Sequence, residues 1–194
     1  MFVSFLFSLH AGAQNIDIDI LKSINPRHPN SEVWRISSGS VDWLSAGIPL
    51  GVLVYGLIDK NKDEKNNGYE LISAMLINAS VTELLKIGFN RTRPADRYPD
   101  EIFVRSATHG SSFPSGHTSQ AFAMATTLSL QCRKWYIVVP LYAWAGCVGY
   151  SRMYLGKHYP SDVLAGAMVG AASSLLSRAI SNKLFRHKKF NLER

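Results

Sequence analysis

Cysteine is scarce in this chain: 194 residues hold two, Cys132 and Cys147. Both lie in apolar stretches without a His or Cys partner at metal-ligand spacing, which excludes a disulfide scaffold or thiolate cluster and assigns them to packing. Acid is also in deficit, with 14 Asp and Glu against 21 Lys and Arg and a formal charge of +7. Such a surplus calls for an anionic partner or surface. Nucleic acid fits poorly, because there is no Lys/Arg run interleaved with aromatics, no zinc-finger spacing and no Gly-rich single-strand platform. Internal repeats and low-complexity tracts are lacking too. The length suits one domain with a proper core.

Missing as well is an unbroken apolar run of about 20 residues, the length of an ideal transmembrane helix. Five shorter runs are free of Lys, Arg, Asp and Glu, at 43–58, 71–82, 118–132, 135–151 and 163–177, each 12 to 17 residues long. By length and by a mean hydropathy near zero, a soluble bundle fits. Other features favour a membrane. GIPLGVLVYGLI and WYIVVPLYAWAGCVGY leave no polar stripe for water, and in VLAGAMVGAASSLLS the pair Gly166 and Gly170 forms a GxxxG suited to close helix contact in lipid.

Charge placement agrees. The start, MFVSFLFSLHAGAQ, has an apolar stretch followed by Ala11-Gly12-Ala13 and reads as a signal peptide cut after Ala13, with a retained short anchor as the alternative. With Gln14 outside, five passes put 59–67, 131–134 and the tail from Arg178 in the cytoplasm. More of the Lys and Arg not claimed by the motifs below then lie inside, as the positive-inside rule requires. Arg178, Lys183, Arg186, Lys188 and Lys189 suit anionic headgroups. The expected architecture is all-α, an integral-membrane helical bundle of about five transmembrane helices. Its expected divisions are a signal peptide at 1–13, an external segment at 14–42, a membrane domain at 43–180 and a basic cytoplasmic tail at 181–194. Residues 61–67, NKDEKNN, read as a polar, turn-rich loop.

Against these absences stand three short segments: KIGFNRTRP at 86–94, PSGH at 114–117 and SRMYLGKHYPSD at 151–162. In this layout all three fall on one side of the membrane, at headgroup level. Together they hold what phosphoryl transfer needs. Charge on the transferred group spreads over three equatorial oxygens, and Lys86, Arg93 and Arg152 supply fixed cations for it. Ser115 precedes an apolar run and reads as a helix N-cap, so the first-turn N–H groups form an anion cradle that Gly116 lets phosphate approach. Pro160 sets the start of the last helix, with Asp162 in its first turn and His158 four residues earlier. That spacing can bring the carboxylate against one imidazole nitrogen and leave the other to attack. His117 stands where it can give a proton to the leaving oxygen. Arg91, Arg97, Arg105 and His109 share the outer loop and read as solvated or headgroup-facing charges.

These segments read K-x6-R-P, P-S-G-H and S-R-x5-H-x3-D, in order and without departure. The chain thereby resembles the type-2 phosphatidic acid phosphatase superfamily, which also includes class A acid phosphatases and vanadium haloperoxidases; the resemblance spans roughly residues 70 to 180. It implies a helical bundle and a metal-independent, cofactor-free, two-step hydrolysis. His158 would attack phosphorus to give a phosphohistidine, Asp162 would orient it, and His117 would serve as acid and then base. Lys86, Arg93, Ser115, Gly116 and Arg152 would hold the phosphate. The expected substrate is a membrane lipid phosphate: lipid A, undecaprenyl diphosphate, phosphatidylglycerophosphate or phosphatidic acid. The expected place is the bacterial inner membrane, multi-pass, with the site facing the periplasm and no nucleic acid or obligate protein partner. The alternatives are a soluble periplasmic acid phosphatase and a non-catalytic phospholipid-binding membrane protein.

Overall fold

The charge-free runs each fall within a long helix. The computed structural model describes residues 16–106 and 108–192, with side chains through Lys183. The expected signal peptide and the side chains of the tail beyond Lys183 lie outside the described residues. A short helix α1 at 16–24 is followed by α2 (Glu32–Ile58), α3 (Lys62–Phe89), the single turn α4 (Pro94–Arg97), α5 (Gly116–Cys132), α6 (Trp135–Tyr154) and α7 (Pro160–Leu192). Among the described residues there is no strand.

Two boundaries differ from expectation. The division at residue 43 falls inside α2, which begins at Glu32. A run free of charge marks where a helix meets lipid; Glu32, Arg35 and Asp42 belong to the same helix before it gets there. The sequence 61–67 is not a loop either. The Asn61 side chain accepts from the Asp63 and Glu64 N–H groups at 3.0 and 3.3 Å, and both acids lie in the first turn of α3. That is a helix start, stabilised by the cap and by the helix dipole.

Three helical stretches are long and apolar enough to cross a membrane by themselves: Glu32–Ile58, Lys62–Arg97 and Pro160–Lys183. Helix α5 has only 17 residues, and its buried set is small and partly polar: Thr118, Ser119, Ala121, Ala123, Met124, Ala125, Thr126 and Thr127. It packs against α2, α3, α6 and α7, so its neighbours shield it from lipid. Large apolar side chains such as Leu50, Val54, Leu76, Leu84, Ile87, Leu164 and Met168 are exposed on the outer surface, while Asn78, Thr82, Ser119, Thr127, Ser174 and Ser177 are buried. An apolar outside around a hydroxyl-rich inside is the polarity of a protein in lipid.

The chain alternates direction through α2, α3, α5, α6 and α7. Helices α5 and α7 are therefore parallel, and both start at the same end of the bundle. The Ser115 N–H donates to the Asp162 carbonyl at 3.0 Å, which ties the two N-termini together. At that end α3 and α6 finish, with Lys86 and Arg152 in their last turns.

Candidate active site

Four helix ends and two loops bring the three motif segments to one end of the bundle. Ser115 occupies the expected N-cap position of α5, but its hydroxyl bonds to Thr118 Oγ1 at 2.9 Å rather than capping an N–H. The first-turn amides of α5 are thus left to an incoming anion. Lys86 reaches over this turn. A Cβ built on Gly116 would stand 3.5 Å from the Lys86 ammonium, so lysine and helix start flank the same space. Its other neighbour is Glu83, at 2.9 Å.

Arg93 is held almost wholly by backbone carbonyls: Nε to Gly110 at 3.0 Å, Nη1 to Lys157 at 3.0 Å, and Nη2 to His109 and Ser111 at 3.4 Å. The fork is fixed and keeps its full positive charge. Its Nη1 stands 3.5 Å from His158 Nε2. Arg152, in the last turn of α6, is buried and donates from Nη1 to Ser38 Oγ of α2 at 2.5 Å. Its Nε is buried without a hydrogen-bond partner among the described residues. A charged donor in that state is poised for an anionic oxygen.

His158 sits in the loop between α6 and α7, only 2% exposed. Its Nδ1 is 2.8 Å from the Ser112 carbonyl, which can only accept, so Nδ1 carries the proton and Nε2 keeps its lone pair. The Asp162 carboxylate is expected against this nitrogen but stands farther off, with Oδ2 at 3.6 Å. The carbonyl sets the tautomer; the carboxylate adds its field. Burial, partly offset by the bond with Asp162 and reinforced by Arg152, pushes the His158 imidazole down to about 4. Burial, then Arg152 and Arg93, also lowers the neighbouring Lys157 ammonium, a further cation that sequence reasoning passed over.

His117 lies in the first turn of α5, a third of its side chain exposed, with Nε2 at 3.6 Å from Asp42 Oδ1 of α2. Among the described residues no three His, Cys, Asp or Glu side chains are placed to hold a metal ion.

Arg91 corrects the expectation of a solvated or headgroup-facing charge. Its Nη1 donates to Asp162 Oδ1 at 2.7 Å and to Ser161 Oγ at 2.6 Å, its Nη2 donates to Asp17 Oδ2 at 2.8 Å, and its guanidinium lies 4.0 Å over the Tyr159 ring. The position two residues before Arg93 in the first motif is the signal that could have found it. Ser112, whose hydroxyl donates to Asp162 Oδ2, and Ser38 carry no such signal. Neither does Asp17, in a segment whose charge pattern decides nothing when read alone.

Comparison with known proteins gives a consistent result. The family model for the PAP2 superfamily matches residues 68–186. The lipid A 4'-phosphatase of Bacteroides thetaiotaomicron is 33% identical over 95 residues, 48% of this chain and 42% of that protein. The undecaprenyl-diphosphatase of Sulfolobus acidocaldarius is 26% identical over 187 residues, 94% of this chain and 87% of that one. The chain thus spans less than half of the first relative and most of the second. The crystal structure of Aquifex aeolicus LpxE superposes with a TM-score of 0.69 at 30% identity, covering 84% of this chain and 95% of that one.

Proposed function

Since this chain belongs to the PAP2 superfamily, we propose that it is a membrane phosphatase that hydrolyses a phosphomonoester or diphosphate on a lipid. One observation carries this reading: a neutral His158 whose Nε2 keeps its lone pair, 3.5 Å from Nη1 of the fixed Arg93 fork. A nucleophile next to a charge-dense cradle is what attack on phosphorus requires. His158 Nε2 forms the N–P bond as the P–O bond to the leaving group breaks, and His117 gives that oxygen its proton. The phosphoryl oxygens rest on Lys86, Arg93, Arg152 and the first-turn amides of α5 from Gly116 onward, with Ser115 fixing the start of that turn. Water then attacks phosphorus, His117 takes the water's proton, and His158 leaves with its lone pair restored. Asp162 offsets the positive charge that His158 carries as the phosphohistidine.

Helices with apolar outer faces end at the cradle, which suits a phosphate at headgroup level whose hydrocarbon stays in the bilayer. The named activities of the relatives, on lipid A and undecaprenyl diphosphate, make these the first substrates to try, beside phosphatidylglycerophosphate and phosphatidic acid. We place the site on the periplasmic side of a bacterial inner membrane.

The test is phosphate release by detergent-purified protein in EDTA from these four lipids and a soluble aryl phosphate, with His158→Ala alongside. We expect release from one lipid class, a loss of about a thousandfold or more in the variant, and inhibition by vanadate. Release from the aryl ester alone would replace this reading with a non-specific acid phosphatase. Rescue of an EDTA-inactive enzyme by a divalent ion would overturn the metal-independent mechanism.

A further inference from the structure

The Asp162 carboxylate does not face His158 alone. Its Oδ2 accepts from the Tyr159 N–H at 2.9 Å and from the Ser112 hydroxyl, and its Oδ1 accepts from Arg91 Nη1 at 2.7 Å. A lone Arg91 in that place would work against catalysis. Its charge would cancel that of Asp162, and the carboxylate would offer little to an imidazole turning cationic. A second anion restores the balance. Asp17, 7% exposed, accepts from Arg91 Nη2 at 2.8 Å and from the Ser161 N–H at 2.9 Å, and also from the Ser161 hydroxyl. Two carboxylates share one guanidinium, so the cluster retains one net negative charge beside His158.

Asp17 comes from α1, and α1 is firmly attached. Ile18 and Leu21 pack with Ile102 and Tyr159. At the end of the helix, Asn25 Nδ2 donates to the Phe103 and Tyr154 carbonyls at 2.9 and 2.8 Å, and its Oδ1 accepts from the Phe103 N–H at 2.8 Å. Lys22 pairs with Glu101. The loop holding His158 and the start of α7 are thus clamped from outside by a helix that none of the three motifs includes.

We propose that Asp17 and Arg91 are positioning residues of the phosphatase: α1 holds Asp162, through Arg91, in the orientation and net charge that His158 requires when it becomes a phosphohistidine. This rests on the roles given above to His158 and Asp162. Neither Asp17 nor Arg91 needs to touch the lipid, so their loss acts on turnover rather than binding.

The experiment measures kcat and KM on the substrate that the wild-type protein hydrolyses fastest, for Asp17→Asn, Arg91→Gln and the double variant. His158→Ala and Asp19→Asn, a change at an exposed acid of the same helix, run alongside. Expected are a kcat loss of about tenfold or more in each single variant, KM within about twofold, and a double variant no worse than the poorer single one, since both act through one contact. Asp19→Asn should match the wild type. Wild-type kcat in Asp17→Asn, or losses that add in the double variant, would overturn the proposal while leaving the phosphatase reading intact. A lowered melting temperature at unchanged kcat would make Asp17 merely structural and equally overturn it. If Asp17→Asn does not fold, Arg91→Lys serves, since it keeps the charge but cannot span both carboxylates. A kcat loss is expected there, and wild-type kcat overturns the proposal. An inactive wild type or an active His158→Ala would sink the functional reading and this role with it.

Discussion

The attack proposed for His158 needs a histidine that arrives without a proton, and its surroundings meet that need. Burial, against the opposing pull of Asp162, holds its imidazole near 4, well below the usual value of about 6.5. At neutral pH the side chain is therefore uncharged, with the proton on Nδ1 toward Ser112. Imidazole 15N spectra of labelled protein should show His158 as the Nδ1–H tautomer down to about pH 5, where an ordinary histidine is already protonated. Titration near 6.5 would refute this. The unfolded imidazole takes up its proton near 6.5 and the folded one only near 4, so this group's contribution is intact above 6.5 and is lost as pH falls toward 4. Legibility in the sequence divides along the same line. Lys86, Arg93, Ser115, His117, Arg152, His158 and Asp162 could be picked out because local spacing links each to a helix end or a motif partner. Arg91 had a signal only in its place two residues before Arg93; Asp17 and Ser38 had none, since their partners are distant in the chain: Asp17 meets Arg91 across 74 positions and Ser38 meets Arg152 across 114. No periodicity reports a contact of that kind.

At the scale of elements, the parallel pair α5 and α7 sets the cradle, and small residues set the pair. A Cβ on Gly166 would lie 2.6 Å from the Ser115 carbonyl oxygen, and one on Gly170 would lie 2.2 Å from that of Ser119. One further turn along, Ser174 Oγ donates to the Ala123 carbonyl at 2.7 Å. The three contacts advance by four residues on both helices, as parallel close packing demands. Because the obstructing atoms are backbone, α7 must move away for any side chain at 170. Gly170→Ala should cost about 1 to 3 kcal/mol and lower the melting temperature in detergent. Gly146→Ala on α6 has open space around the new methyl and should be neutral or stabilising by up to about 1 kcal/mol. Equal effects at the two positions would show that the seam does not govern the packing. Gly166 and Gly170 were readable as a packing motif, but their partner was not, since GxxxG names no opposing helix. Helix ends were hidden for a related reason: a charge-free run stops at the first charged residue, whereas α2 and α3 extend beyond their runs through polar turns that carry Asp42 and Lys86 to the site end of the bundle.

For the molecule as a whole, the arrangement fixes which ends share a side of the membrane, and charge supplies the orientation. Arg105, in the loop between α4 and α5, lies at the same end as the phosphate cradle and pairs with Glu32 at the start of α2 at 3.6 Å. Lys134, exposed at the turn between α5 and α6, lies at the other. The 17 residues of α5 separate the two by about 25 Å along the helix axis, close to the thickness of a bilayer's hydrocarbon core. A phosphate bound at the cradle therefore lies at one interface, and which interface decides whether the enzyme acts on lipids outside or inside the cell. By the positive-inside rule, the excess of Lys and Arg toward the Lys134 and Arg178 end predicts that this end is cytoplasmic. Cys132 and Cys147 are both exposed and must first be replaced by serine. Single cysteines at 105 and 134 are then treated in intact cells with a thiol reagent that cannot cross the inner membrane. Labelling at 105 and protection at 134 is the expected result. Labelling at 134 alone would turn the protein over and move its substrate to the cytoplasmic leaflet, leaving the chemistry of His158 and its cradle unchanged, because the site's geometry is built within the bundle and the orientation by charges outside it.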